Sequence, residues 1–337
     1  MTILSFEAWP GTIGTLTRTP DRPPRSLRRV SSIQSIWPDG FESDRVTVVA
    51  RGHDVFTDDD GAGTVLDAAA VDVDTDGPAR TVHAIAIDPP GPGTGELLGA
   101  SLTRGFRKAA AAAVPGTAGS VLGLLLDDVP AATLVAGQVP IRVGIEVTGA
   151  PPDWVGADGT PLPMVCIGRR ADGVMEQRRR AGTPLLGQGP PAGDLHRPDD
   201  PLAWPETPPM PVWSMRRLRR TDVRIVDDSV VVDSHFRDSY MERSGVESAV
   251  HEYDVVATAG VDDGIIRSVD VLARVLPGPD CPGAVASAQR VVGQPLESLR
   301  AFVRGALQGD TICTHLNDQL RSLADVPTLV RALQQPR

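Results

Sequence analysis

One pattern in this chain is written twice. Arg80, Thr81, Val82, His83, Ala84, Ile85 and Ala86, followed by Pro90, Gly91 and Pro92, share their layout with Arg267, Ser268, Val269, Asp270, Val271, Leu272 and Ala273, followed by Pro277, Gly278 and Pro279, at a constant separation of 187 residues. Gly77 and Gly264 keep that separation, and each closes an acidic turn between two apolar runs. Upstream, Leu27-Arg28-Arg29 matches Leu218-Arg219-Arg220, and Val46 to Val49 ending in Asp54 matches Val230 to Val232 ending in Asp238. Downstream, residues 119–128 align with 309–318. Landmarks kept in one order over such a length imply an internal duplication, and a repeat constrains the fold more than any isolated motif.

Each copy reads as strands followed by helices. In the second, residues 223–226, 229–239, 253–259 and 265–276 are β-branched runs bounded by Asp and Gly, the pattern of an antiparallel meander. Pro282 suits the first turn of a helix that Gly293 stops, because its missing N–H is unpaired there in any case. Apolar residues at helical spacing then run over 296–307 and 316–323. The expected fold is α+β: a tandem pseudo-duplicate of an antiparallel β-meander followed by helices, with the first copy degenerate. Residues 25–147 form that degenerate copy, and 216–333 form the second copy with the candidate site. Residues 148–215 form a Pro/Gly-rich connector or lid, which Trp154, Trp204 and Trp213 mark as packed, with a basic cluster at Arg178 to Arg180.

The net charge of -10 and pI near 5.1 oppose a nucleic-acid or anionic-membrane binder, since both targets repel an acidic surface. No apolar run approaches the roughly 20 residues that span a bilayer, and no signal peptide is legible at the N-terminus. The expectation is a cytoplasmic protein with a small-molecule substrate, no nucleic acid, no membrane, and room for a homo-oligomer. The three cysteines, Cys166, Cys281 and Cys313, then read as free or metal-bound thiols rather than a disulfide framework.

Cys281 and Cys313 each open a predicted helix, where the helix dipole favours thiolate. Their spacing is not that of a zinc finger, so metal ligation and buried structural thiols both remain open. His251 is expected at the start of the third strand, at the sheet edge, with Tyr253 beside it; His315 lies two residues after Cys313, and Asp318 follows. A mixed set of His251, Cys281, Cys313 and His315 suits Zn or Fe. Tyr253 and Asp318 are candidates to move a proton. Arg237 and Asp238, with His235 and Tyr240 nearby, are candidates to bind an acidic or aromatic substrate, against the plainer reading of a surface ion pair. In the first copy Thr94 stands at the Cys281 place, Gly123 at the Cys313 place, and His53 near the matching strand position without cysteine partners.

The string His251-Glu252-Tyr253, Leu276-Pro277, Cys281-Pro282-Gly283-Ala284 and Cys313-Thr314-His315-Leu316-Asn317-Asp318 resembles an uncharacterised bacterial family, domain of unknown function 2889, over residues 216–333. Cys166-Ile167-Gly168 is similar to an element preceding that domain's second half. The order of Cys281, Val292-Gly293, Pro295-Leu296-Glu297 and Cys313 also resembles iron–sulfur scaffold proteins of the IscU type, giving an IscU/SufE-like unit. That resemblance implies that His251, Cys281 and Cys313 converge on a metal, with His315 as the fourth ligand, although Ile312 replaces the scaffold's histidine and Tyr253 its carboxylate. The expectation is a metal- or Cys-dependent enzyme of lyase or hydrolase type; the alternatives are an iron–sulfur or sulfur-transfer scaffold and a structural interaction module. No nucleotide-binding or Ser-hydrolase motif is present.

Overall fold

A computed structural model describes residues 10–40, 43–77, 79–149, 165–181 and 189–335. Trp154, one of the three connector tryptophans, lies outside them. Eight strands form one antiparallel sheet: β1 (Ser26–Ile36), β2 (Arg45–Thr57), β3 (Gly63–Asp76), β4 (Val82–Asp88), β5 (Met215–Val226), β6 (Ser229–Met241), β7 (Glu247–Gly260) and β8 (Ile266–Val275). Their order is β4-β3-β2-β1-β5-β6-β7-β8, so two four-stranded meanders abut through β1 and β5. Local chemistry supports the meanders. Asp227, at φ 54, makes the tight β5–β6 turn in a left-handed conformation that Asp tolerates, and Gly264, at φ 62, serves the β7–β8 turn.

Helices cover one face of the sheet. After β4 come α1 (Phe106–Ala113), α2 (Val121–Ala136) and α3 (Val139–Thr148). After β8 a 3-10 segment, Cys281–Val291, is ended by Gly293 at φ 82, and is followed by α5 (Leu299–Ala306), α6 (Thr314–Ser322) and α7 (Val326–Gln334). Between the halves lies α4 (Val174–Arg180). Each half buries its own apolar cluster. Leu125, Val129 and Val71 belong to the first, and Val255, Leu299 and Leu320 to the second. The helical stretch Val121–Thr148 is long and apolar enough to cross a membrane by length and composition, which corrects the reading that no such run exists; most of it is buried inside the fold, as in a core helix.

The other face is covered by irregular chain. Ile13 and Gly14 donate backbone N–H groups to Ala273 and Arg274 of the edge strand β8, and the chain then turns onto the face, where the Leu16 N–H donates to the Glu252 carboxylate. The guanidinium of Arg28 donates to the carbonyl of Pro20, the Gln34 amide to that of Pro208, and the Trp204 indole to the Thr19 hydroxyl. The described part of the connector after residue 188 is therefore packed, as its tryptophans imply. These straps supply the partners that the polar side chains of a central strand require once water is excluded.

Where the two meanders meet, the helix-covered face carries charge instead of hydrocarbon. Arg29 grips Asp54 through Nε and Nη2 at 2.7 and 2.6 Å, and Arg217 grips Asp238 in the same manner at 2.8 and 2.9 Å. Each pair joins directly opposed residues on neighbouring strands, and a β-bulge follows both Asp54 and Asp238. The helices then cross over. Asp128 of α2 accepts from Arg219 of β5 at 2.7 Å, while Asp325, just before α7, lies 3.3 Å from Arg29 of β1. Asp127 of α2 accepts from Arg321 of α6 at 2.6 Å.

A buried ion stripped of its partner is costly, so Asp128→Ala, which strands Arg219 and weakens Arg217, is expected to lower unfolding stability by about 3–5 kcal/mol in urea titration. Arg51→Ala, in a partly exposed pair with Asp72, is expected to cost less than about 1 kcal/mol in the same titration. Equal losses in the two variants would count against the buried network as a stability determinant.

Candidate metal centre

Strand alternation selects which residues reach the site. On β7, His251 and Tyr253 are two apart and both face the helices, His251 opposite Asp238 and Tyr253 opposite Phe236. The sequence reading placed His251 at the edge where a loop meets the sheet. Instead β7 begins at Glu247, so His251 lies within the strand and is buried. Cys313 is the N-cap residue of α6 and His315 lies in its first turn, which allows two residues two apart to face one point.

Three donor atoms converge: one ligand atom each from His251, Cys313 and His315, all within 4.8 Å of one another. The two imidazoles stack, with centroids 3.4 Å apart and planes 13° from parallel. The Cys313 Sγ lies 3.9 Å from His315 Nδ1, and His315 Nε2 lies 3.4 Å from Asp238 Oδ2. Phe236 closes the base edge-on to His315. Neither His251 Nδ1 nor His315 Nε2 has a hydrogen-bond partner, although both are buried.

Burial sets the protonation states. It pushes the His251 imidazole well below its usual pKa, and His315 adds to the shift. His315 is pushed down in the same direction by burial, then by Arg217 and Arg169. Both rings are therefore neutral, the form that binds a metal. Tyr253, fully buried, is pushed well above the phenol range by burial and then by the Cys313 sulfur beside it, so its hydroxyl keeps its proton.

The thiols correct one expectation. Cys281 does open its 3-10 segment and Cys313 does cap α6, yet neither thiol is acidified. Burial pushes Cys281 upward, and it pushes Cys313 up to about 11 even though the Tyr253 hydroxyl works in the opposite direction. A helix terminus contributes about 0.3–1 kcal/mol, less than burying a thiolate costs.

The other predicted residues separate. The Cys281 sulfur is not within the converged set; it packs against the backbone at Gly168 and Gly278. Arg237 and Asp238 are successive strand residues on opposite faces and form no joint clamp. Arg237 is fully buried on the strap side, donating to Glu252 at 3.0 Å and to the carbonyls of Leu16 and Gly193, so it is not the surface ion pair of the plainer reading either. Asp238 holds Arg217 and faces His315. Asp318 belongs to the inter-half network, taking Arg217 at 3.2 Å and Arg321 at 3.0 Å; burial raises its pKa and Arg217 opposes the rise. His235 pairs with Asp254 on the strap side.

The Arg29–Asp54 pair of the first half has different neighbours. Asp54 is opposed by Asp67 where Asp238 is opposed by His251. Ser120 caps α2, and Leu122 lies in the first turn of that helix. His53 faces the straps, its Nε2 2.9 Å from the Leu202 carbonyl. Sequence reading missed Asp238 as a neighbour of His315; the only trace was the shared Asp54 and Asp238 landmark.

Residues 215–329 match the model of a family described as a protein of unknown function (DUF2889). That range contains Asp238, His251, Tyr253, Cys281, Cys313 and His315, and excludes Cys166. No curated protein and no solved structure matches the chain.

Exposure ranks the thiols of the metal-free protein. Cys166 is partly exposed and the other two are buried, so iodoacetamide at pH 7.5 is expected to label Cys166 well before Cys281 or Cys313, as followed by peptide mass spectrometry. Faster labelling of Cys313 would contradict the burial described above.

Proposed function

We propose that the second half holds a zinc- or iron-class metal ion through His251, Cys313 and His315, and that this centre serves a hydrolytic or lyase-type reaction on a small organic molecule. The observation that carries the reading is the convergence of His251, His315 and the Cys313 sulfur, with both imidazoles buried and neutral and His251 Nδ1 without a partner. A buried polar atom without a partner costs about 1–3 kcal/mol, and metal ligation is one way of recovering it. The donor set fits: two imidazoles and one thiolate suit zinc or iron better than magnesium or calcium.

The surrounding residues fit the same reading. Metal-binding histidines commonly present their second N–H to a carboxylate, and Asp238 stands 3.4 Å from His315 Nε2 while Arg217 holds it in place. Tyr253 keeps its proton, and its hydroxyl beside the Cys313 sulfur serves this reading as a hydrogen-bond donor. Asp318 supports Arg217 rather than moving a proton. A bound ion of this class supplies a Lewis acid and an acidified water. Three protein donors leave one further position, for water, a substrate oxygen or a neighbouring thiol such as Cys281.

The mirrored meanders, the matched Arg29–Asp54 and Arg217–Asp238 pairs and the 3-10 segments opened by Thr94 and Cys281 support an internal duplication whose first copy has lost the donors. That alignment equates Arg29 with Arg217, not with Arg220. An iron–sulfur or sulfur-transfer role is the second reading, favoured by the number of cysteines near Tyr253.

Elemental analysis of the full chain tests the proposal. Wild type is expected to carry about one zinc or iron per chain, Cys313→Ala and His315→Ala to lose it, and Asp238→Asn to weaken binding about 10–100-fold. A metal-free wild type, or unchanged content in both ligand variants, sinks the centre. A brown chromophore after anaerobic purification selects the iron–sulfur reading instead.

A further inference from the structure

Cys166 lies outside the residues that match the family model, and its sulfur, like that of Cys281, is not within the converged set, yet the connector docks its turn against the residue before Cys313. It caps a short 3-10 turn, Ile167–Arg169, whose chain is docked at two places. The Ile167 N–H donates to the carbonyl of Ile312 at 2.8 Å, which fastens the turn to the residue preceding Cys313. The Val174 N–H donates to Asp280 Oδ2 at 2.8 Å, which fastens the start of α4 to the residue preceding Cys281. Arg170 adds a longer ion pair to the same carboxylate. The connector is thus held against the residue before each of the two buried cysteines, with Cys166 immediately beside the first anchor.

Gly168 allows the close approach. A Cβ there would meet the Cys281 sulfur at 3.0 Å and the Cys166 sulfur at 3.9 Å, so a larger residue would have to displace the Cys281 sulfur slightly. The two sulfurs consequently share one small backbone surface beside the fully buried Tyr253 hydroxyl, which lacks a conventional partner. Of these two thiols Cys281 is buried at the start of a 3-10 segment, its N–H bonded to Gly278, whereas Cys166 is partly exposed and caps the start of the docked turn.

We propose that Cys166 is the fourth ligand of the metal centre in the resting protein, so that the bound ion fastens segment 165–181 to the second half. The inference rests on the metal-centre reading above. Its consequence is chemical as well as mechanical: the resting set becomes two imidazoles and two thiolates, and the position needed by a substrate oxygen opens when Cys166 leaves.

Cobalt(II) titration of the metal-free full chain tests it, with the thiolate-to-cobalt absorption band and Cys166 alkylation as readouts. Wild type is expected to saturate near one Co2+ per chain. Cys166→Ser is expected to lose about half of the thiolate band, as one of two thiolates is removed, and to bind at least tenfold more weakly, about 1.4 kcal/mol. Cys281→Ser is expected to keep the band. In wild type, Co2+ is expected to slow iodoacetamide labelling of Cys166 at least tenfold. An unchanged band in Cys166→Ser, with Cys166 labelled equally fast with and without Co2+, overturns the proposal. Loss of the band in Cys281→Ser alone overturns it in favour of Cys281. Wild type that takes up no Co2+ removes the centre itself, which separates that failure from failure of Cys166 alone. If Cys166→Ser does not fold, the labelling of wild type decides.

Discussion

A guanidinium on the inner face of a central strand cannot be left unpaired, and the architecture follows from how Arg217 is satisfied. Its Nε and Nη2 are taken by Asp238, the residue opposite on β6, and its Nη1 reaches Asp318 of α6, with Asp128 of α2 close by. Three elements from both halves are needed to compensate one cation. The desolvation cost of such a group amounts to several kcal/mol, and only this many carboxylates in good geometry offset it. Arg219 and Arg29 repeat the logic with Asp128 and with Asp54 and Asp325. The β1–β5 junction is therefore specific rather than merely apolar, since a shift in register would strand several buried charges together.

The candidate centre is built on that junction. Asp238 stands between Arg217 and His315, so the ion network that joins the halves also fixes the carboxylate facing the imidazole. The first half carries a similar Arg29–Asp54 pair, whose neighbours are the carboxylates Asp67 and Asp325. The Val121 N–H at the start of α2 takes up Asp67 instead. The same structural pair thus serves packing alone in one half, and packing together with side-chain positioning in the other.

Local patterns in the sequence carried the strands and helices of the second half well, because β-branched runs, Gly293 and the apolar spacing of 296–323 act within a few residues of themselves. They did not show that β5 begins at Met215 or that β7 begins at Glu247, since polar residues such as Arg217, Arg219 and Glu252 enter strands only when distant partners neutralise them. His251 was misplaced to an edge for that reason. Arg237 and Asp238 looked like one clamp because adjacency in sequence hides the alternation of a strand, which sends them to opposite faces.

By itself the sequence determined which residues have metal-binding chemistry, their order along the chain, and the local elements that present Cys313 and His315 together at the start of α6. Tertiary structure decided the rest. It stacked His251 on His315, left the sulfurs of Cys281 and Cys166 outside that cluster but together at Gly168, and buried two helix-terminal thiols. The physical reason is that burial and charge compensation depend on which distant segments close over a site, and those segments are chosen by pairing across β1 and β5, not by the residues next in sequence.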